Sequence, residues 1–308
     1  MRTVISHRYG GPEVLEVVEL PTPSPGPDQV LVAVRAAALN PVDLAMRDGL
    51  MASAIGEPFP LGLGWDIAGT VEAVGDGVDR WVVGDEVVGL RDEFVGPTGA
   101  HATHVVLPAD ALAPAPRGAS AEEAATFPLN TLTASQALDL LGLEPGSSVV
   151  VTGAAGGVGD YVVALAAHRG LTVVGVARPA DEPDVRANGA AEFVSGTDVG
   201  AAVRELLPDG ADGLVDAAQV GAPALAAVRD GGHFVAVSDP SEPATERGIT
   251  VATVHVHHDA EQQAALVRLV EDGTLRLRVA DTFALDDVAK AHEAAARPGL
   301  RGRVVLTV

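Results

Sequence analysis

The run Ser148-Val149-Val150-Val151-Thr152-Gly153-Ala154-Ala155-Gly156-Gly157-Val158-Gly159 limits what this chain can fold into more than any other stretch. A short apolar strand leads into a glycine turn. An amphipathic, Ala-rich segment then runs to His168-Arg169, with Gly170 placed to stop a helix. Strand, turn and helix in that order, with Ala154, Gly156 and Gly159 at the required spacing, make the fingerprint of a turn that holds a dinucleotide. Gly156 lets the backbone approach a pyrophosphate, Gly159 lets helix and strand pack closely, and the helix N-terminus faces the negative charge. Ala155, Gly157 and Val158 complete the turn. A glycine triplet by itself is equally a tight turn with no ligand; the strand before it and the next strand, starting on schedule at Thr172, favour the nucleotide.

Around this motif the texture is that of a parallel sheet covered on both faces, with apolar strands alternating with helix-length segments. Six strands are expected at Ser148–Thr152, Thr172–Val176, Glu192–Val194, Gly213–Ala217, His233–Val237 and Thr250–Val256, enough for a doubly wound sheet. The preceding residues, to about position 115, are short β-rich segments broken by Gly and Pro, such as Val30–Ala38, Thr70–Val74, Glu86–Leu90 and His104–Leu107, and suit a small barrel. Pro21, Pro23, Pro25 and Pro27 make an extended surface connection, and Pro114 and Pro116 mark a boundary. The tail reads as a helix over Asp259–Asp272, a strand near Leu275, a helix over Asp286–Ala296 and a closing strand Arg303–Val308.

The second strand of the sheet ends Val174-Gly175-Val176-Ala177-Arg178, where an enzyme selecting NAD would place a carboxylate on the ribose 2′-hydroxyl. Ala177 removes that repulsion, and the Arg178 guanidinium can grip a 2′-phosphate with two parallel hydrogen bonds, which favours NADP(H). The alternatives are a solvated surface arginine, or one neutralised by Asp181, Glu182 or Asp184.

Charge and composition narrow the function further. With 42 acidic against 20 basic residues the net charge is −22, which repels nucleic acid and anionic membrane surfaces and favours an uncharged small-molecule substrate. The absence of cysteine removes disulfides, thiolate chemistry and Cys-ligated zinc. Met1-Arg2-Thr3-Val4 lacks the apolar core of a signal, and no run approaches the ~20 apolar residues of a membrane span, so the expected location is cytoplasmic. His255 and His257, expected on one face of the last sheet strand, are read as edge or interface residues rather than metal ligands.

Several further segments occur in order along the chain: Pro25-Gly26-Pro27-Asp28-Gln29-Val30, Ala38-Leu39-Asn40-Pro41-Val42-Asp43, Gly64-Trp65-Asp66-Ile67-Ala68-Gly69, Gly84-Asp85-Glu86-Val87, Leu132-Thr133-Ala134 and the tail Arg301-Gly302-Arg303-Val304-Val305-Leu306. Together with the glycine turn, they resemble the zinc-independent quinone oxidoreductases (zeta-crystallin-like) of the medium-chain dehydrogenase/reductase superfamily. That resemblance implies an α/β chain with a GroES-like β-barrel catalytic domain and a doubly wound Rossmann domain. Residues 1–117 would form the first part of the catalytic domain, 118–258 the nucleotide domain, and 259–308 the return to the catalytic domain. It also implies an active site in a cleft and a homodimer formed through the last strand of the nucleotide sheet.

In the zinc enzymes of that superfamily a His of a Gly-His-Glu triplet ligates the metal, and here Trp65 stands in that place. What remains is hydride donation from NADPH to quinones or α,β-unsaturated carbonyls, whose acceptor carbon is already electron-poor. The resemblance assigns Asn40 and Thr133 to the nicotinamide end. Asn40 can donate its amide to a carbonyl, or simply form the turn before Pro41; Thr133 can touch the cofactor or pack its helix; Trp65 can wall a ring substrate or fill the core. Ser238, after the turn at Gly231-Gly232, is a further cofactor candidate. The Tyr that relatives carry shortly after the Asn is missing from Asp43-Leu44-Ala45-Met46-Arg47, which leaves protonation to solvent. A trans-enoyl thioester reductase and a non-catalytic NADPH-binding protein are the competing readings, and the loops Leu50–Pro60 and Arg91–Gly99 are expected to shape the substrate pocket.

Overall fold

With only 3% aromatic residues, the interior is built mainly from Val, Ala and Leu in the computed structural model, which describes residues 1–93 and 95–308. In chain order the elements are β1 (Arg2–Ser6), β2 (Leu15–Glu19), β3 (Gln29–Leu39), α1 (Pro41–Asp48), α2 (Ala52–Ile55), β4 (Leu61–Gly62), β5 (Asp66–Val74), β6 (Glu86–Leu90), β7 (His104–Pro108), β8 (Leu112–Pro114) and α3 (Ala121–Ala125). Then come α4 (Pro128–Leu141), β9 (Ser148–Thr152), α5 (Gly159–His168), β10 (Thr172–Val176), α6 (Glu182–Ala187), β11 (Glu192–Val194), α7 (Val199–Leu206), β12 (Ala211–Asp216), β13 (Val228–Ala236) and β14 (Thr250–Thr253). The chain closes with α8 (Ala260–Glu271), β15 (Val279–Ala284), α9 (Val288–Ala295) and β16 (Arg303–Thr307).

Two compact units result, Met1–Leu129 with His257–Val308, and Asn130–Val256. The first changeover thus lies beyond the boundary expected after Arg117. In the first unit a seven-stranded sheet runs β15-β16-β3-β5-β6-β8 with β7 also on β3, beside a small sheet β2-β1-β4. Val30, Val32, Val34 and Ala37 of β3 bury against Ile67, Val71, Val87, Leu107 and Leu112. β16 lies antiparallel to β3, pairing Val304 with Leu39, so the last residues of the chain complete the sheet begun by the first. Val4, Leu39, Leu285, Val288, Val304 and Leu306 share one core there.

The second unit carries the sheet order β11-β10-β9-β12-β13-β14, every pair parallel. The chain leaves β9 in one direction, crosses back to β12 and continues in the other, so the order reverses between β9 and β12. Ligands of such sheets bind outside the carboxyl ends of the strands at this reversal. The central strands are buried on both faces, with Val149, Val150, Val151, Leu214 and Val215 at 0% exposure, as covered parallel strands require.

The last strand of this sheet and the strand expected near Leu275 need correction. β14 stops at Thr253 rather than Val256, because its neighbour β13 ends at Ala236, the partner of Thr253. Leu275 is not in a strand: it is buried in the turn after α8, its N–H donating to Leu269 O at 2.8 Å. The strand expected there starts at Val279. Among the described residues no helix is long and apolar enough to cross a membrane.

Candidate active site

The glycine turn sits at the carboxyl end of β9, directly before α5. Gly153 adopts φ +61, in the region that favours glycine. A Cβ on Gly159 would lie 2.1 Å from Gly153 O and 2.7 Å from Gly153 C, both rigid backbone atoms, so only glycine permits the helix to start against the strand end. A Cβ on Gly156 would lie 3.0 Å from the same oxygen. The turn is tied down by Gly156 N donating to Gly153 O at 2.8 Å and Ala154 N donating to Val176 O at 3.0 Å. Ala154 and Ala155 are buried, and Gly157 and Val158 lie on the turn leading into α5. A glycine cradle at the N-terminus of a ten-residue helix, at a sheet's reversal point, fits a dinucleotide diphosphate.

Sequence reasoning missed the group that shapes the adjoining loop. Asp216, at the end of β12 and 0% exposed, accepts from Thr152 Oγ1 at 2.6 Å, from Val220 N at 3.0 Å and from Gly221 N at 2.7 Å. Thr152 Oγ1 accepts in turn from Ala218 N at 3.0 Å. A carboxylate closing an apolar strand, Leu214-Val215-Asp216, was the available signal. Ser238 follows β13 at the same end of the sheet, half-buried, its carbonyl accepting from Ser241 Oγ at 2.9 Å. Arg178 follows β10 and is largely exposed; its Nε pairs with Asp181 Oδ2 at 3.2 Å, the neutralising contact weighed above. Thr133 lies on α4 and is buried.

In the first unit, Asn40 links β3 to α1 and is 1% exposed. Its backbone N–H donates to Asp43 Oδ2 at 2.8 Å, and Asp43 Oδ1 accepts from Gly64 N at 2.7 Å. Asp43 therefore ties the start of α1 to the residue before Trp65, a structural task. The Asn40 side-chain amide donates to Asp66 Oδ2 at 2.7 Å, and Asp66 Oδ1 accepts from Leu129 N at 2.6 Å. One side of the Asn40 amide, expected to reach a ligand, is thus engaged by a carboxyl group that sequence reasoning passed over, although an acid between Trp65 and Ile67-Ala68 is itself a signal of a buried charge. Burial pushes the Asp66 carboxyl up to about 7, against its hydrogen bonds from Asn40 and Leu129, with the neighbouring Asp43 also raising it. Burial likewise raises Asp43, opposed by His101 and by its hydrogen bonds.

Trp65 is buried at 3% exposure, and its carbonyl accepts from Arg91 N at 2.8 Å. The Arg91 guanidinium holds Glu93 O at 2.5 Å, bracing the start of the loop expected to shape the pocket; Phe94 of that loop lies outside the described residues. The tyrosines stand elsewhere: Tyr9 donates to Gly56 O, and Tyr161 is buried on α5. His255 pairs with Asp239 at 2.9 Å and His258 with Asp92 at 2.9 Å. Among the described residues no group of three or more His, Asp or Glu is placed to hold a metal ion.

Comparison with known families matches residues 26–117 to the alcohol dehydrogenase GroES-like domain and residues 188–306 to a domain described as zinc-binding dehydrogenase. A quinone oxidoreductase of Pseudomonas aeruginosa is 33% identical over 97% of both chains. An NADPH-dependent alkenal/one oxidoreductase of Arabidopsis thaliana chloroplasts is 34% identical over 79% of this chain and 64% of its own length. Among solved structures, an NAD-dependent alcohol dehydrogenase superposes with TM-score 0.86 at 34% identity, covering both chains completely. The zinc in the second domain's description has no cysteine ligand to draw on in this chain.

Proposed function

Because the chain belongs to the zinc-independent quinone oxidoreductase family of the medium-chain dehydrogenase/reductase superfamily, with its GroES-like and Rossmann domains, we propose that it is an NADPH-dependent reductase of quinones or α,β-unsaturated carbonyl compounds. The observation that carries this reading is the backbone cradle at Gly153–Gly159, which a single Cβ on Gly159 would destroy, in a chain without a cysteine to anchor catalytic zinc. The curated relatives named for quinone and alkenal/one reduction support the substrate class.

On this reading the backbone N–H groups of the turn and the N-terminus of α5 bind the diphosphate. The loop held by Asp216 and Thr152, together with Ser238, borders the nucleotide, and Thr133 and Asn40 serve the nicotinamide end. Arg178 binds the 2′-phosphate, exchanging its contact with Asp181 for a doubly charged partner; no acid stands at Ala177 to oppose it. When bound, the reduced dinucleotide supplies the hydride. The protein aligns the acceptor, offers donors toward the oxygen that gains charge, and leaves final protonation to solvent, since neither tyrosine stands beside Asn40 in sequence. The preference for NADPH rests on Arg178 and Ala177; the NAD-dependent alcohol dehydrogenase of similar fold marks the alternative.

We also place the protein in the cytoplasm and assign it a homodimer in which the open edge of β14 pairs with that of a second copy. An acceptor panel tests the function: purified protein and NADPH are mixed with a small quinone, an enone, an enoyl thioester and no acceptor, and the nicotinamide absorbance is followed. Decay with the quinone or enone supports the proposal. Decay with the thioester alone would transfer the reading to enoyl reduction, and binding without decay would leave a non-catalytic nucleotide-binding protein.

A further inference from the structure

We propose that the first unit binds one internal water molecule between the rings of His292 and His101, and that this water closes a hydrogen-bonded chain from Arg47 on α1 to Ala38 on β3. Neither ring takes part in the reductase reading above, and the site stands or falls without it.

The partners of each ring fix where its proton sits. Arg47 Nη1 lies 3.1 Å from His292 Nδ1; a guanidinium only donates, so Nδ1 accepts and the proton of the neutral ring stands on Nε2. Burial, with His101 and Arg47 adding to it, keeps this ring neutral, down to about 2. His101 Nε2 lies 3.1 Å from Ala38 O, which only accepts, so Nε2 carries the proton there and Nδ1 of the neutral ring is an acceptor. The two remaining nitrogens are complementary, a donor at His292 Nε2 and an acceptor at His101 Nδ1. Both are buried, and neither has a hydrogen-bond partner within the protein.

The rings cannot satisfy each other directly. Their centroids are 6.1 Å apart and their planes meet at 84°. Atoms of an imidazole stand about 1.2 Å from its centroid, so the two nitrogens come no closer than about 3.7 Å, beyond the ~3.2 Å limit of a direct bond. One water, accepting from the first ring and donating to the second, spans up to about 5.8 Å with two bonds of about 2.9 Å.

A third polar atom lies on the same side. Thr3 pairs antiparallel with Ala102, which sets Val4 opposite His101, and Val4 N donates to His101 O at 2.9 Å. Residues opposed in such a pair share a face, and Ser6, two positions on from Val4, shares it too. Val4 packs there with Val288, Ala291 and Ala294 of α9, the helix that carries His292. Ser6 Oγ is buried without a partner within the protein, and a hydroxyl can serve as donor or acceptor.

The chemistry of the three groups selects the occupant. A metal ion would need a lone pair on His292 Nε2, where the proton must stay. An anion would receive no proton from His101 Nδ1. The occupant must be small and must both accept and donate, which is what an internal water does for polar groups inside an apolar core. Arg47, at the start of the chain, is fixed by Gly10 O at 3.2 Å and by Asp48 Oδ1 at 3.0 Å. Ala38 and Arg47 stand on either side of Asn40 and Asp43, so the completed chain braces both ends of the segment that carries them.

The experiment uses the full chain, crystallised from two unrelated precipitants and solved at atomic resolution. The expected result, in both crystal forms, is one water within hydrogen-bond distance of His292 Nε2 and His101 Nδ1. No peak there, or a peak with the signal of a metal or an anion, overturns the proposal, and this measurement needs no variant to fold. In solution, with ¹⁵N in histidine, the Nε2 proton of His292, assigned by its loss in His292→Phe, should show a cross-peak to water. A proton on Nδ1 instead, or no cross-peak, overturns it as well. His292→Phe keeps a ring and removes both nitrogens, so main-chain hydrogen exchange at Asn40 and Asp43 should quicken at least about fivefold while β10 in the other unit is unchanged. Equal exchange at Asn40 and Asp43 in wild type and variant overturns the bracing.

Discussion

Replacing Gly159 by Ala isolates the part of the structure on which nucleotide binding depends. The added Cβ would stand 2.1 Å from Gly153 O and 3.1 Å from Ala154 Cα, whereas carbon and oxygen settle at about 3.3 Å or more. The turn and the start of α5 must therefore separate by about 1 Å, with an overpacking cost of about 1–3 kcal/mol. That shift also draws backbone N–H donors away from the diphosphate. Losing one charge-assisted hydrogen bond, worth about 1.5–3 kcal/mol, weakens binding roughly 10- to 100-fold. Gly156→Ala supplies the contrast, because its Cβ would be 3.0 Å from Gly153 O and the fold yields by a few tenths of an ångström, while the methyl still occupies the space a pyrophosphate needs. Calorimetric titration with NADPH beside thermal unfolding reads both quantities. Gly159→Ala should lose affinity and melting temperature together, and Gly156→Ala mainly affinity. Unchanged NADPH affinity in both variants would refute the assignment of the diphosphate to this turn.

Other outcomes follow from single contacts. Arg178→Gln should weaken NADPH binding by about 5- to 30-fold and leave NADH binding unchanged, while Asp181→Asn, which frees Arg178 from its partner, should tighten NADPH severalfold; competitive titration of the two dinucleotides reads both. The Asp66 pKa near 7 lies above the usual 3.8, so the folded chain keeps a proton that the unfolded chain releases between those values. Its contribution is present below pH 4 and is lost as pH rises through 7. Denaturant unfolding of Asp66→Asn should therefore show a gain over wild type of up to a few kcal/mol at pH 8 that is small at pH 4. Burial holds His292 neutral, down to about 2 from 6.5, with His101 and Arg47 adding to it. Its contribution is present above 6.5 and is lost as pH falls toward 2, and His292→Gln should flatten that acid limb of the stability profile. Ala252→Lys, on the open edge of β14, should convert the expected dimer to monomer in a sedimentation experiment.

The nucleotide unit was largely legible because its signals are local. The strand, turn and helix around Gly156 occupy contiguous residues, and β9, β10 and β11 have the bounds expected from their apolar runs. Strands whose ends depend on a neighbour were less so. β5 starts at Asp66, before the expected Thr70, since Gly69 brings its backbone against β3 where a Cβ would lie 2.3 Å from Ala33 O. A glycine reads in sequence as a break; here it is a close approach between strands. β13 starts at Val228 rather than His233, running through Gly231-Gly232, which also reads as a turn.

At the site, the candidate residues were named but the groups that direct them were not. Asn40 and Asp66 are separated by 26 positions, and Thr152 and Asp216 by 64. No spacing rule joins such pairs before the sheets are assembled. Both acids end up buried because their lone pairs are met by backbone N–H groups, and that can be read only from the fold.

The most direct measurement of the central claim follows the hydride. NADPH carrying deuterium at the transferable position of the nicotinamide is incubated with the protein and a small enone, and the product is examined by mass and NMR spectroscopy. The account predicts one deuterium on the carbon β to the carbonyl, at a rate unaffected by a metal chelator. Tight NADPH binding with unlabelled product, or turnover abolished by the chelator and restored by zinc, would contradict it.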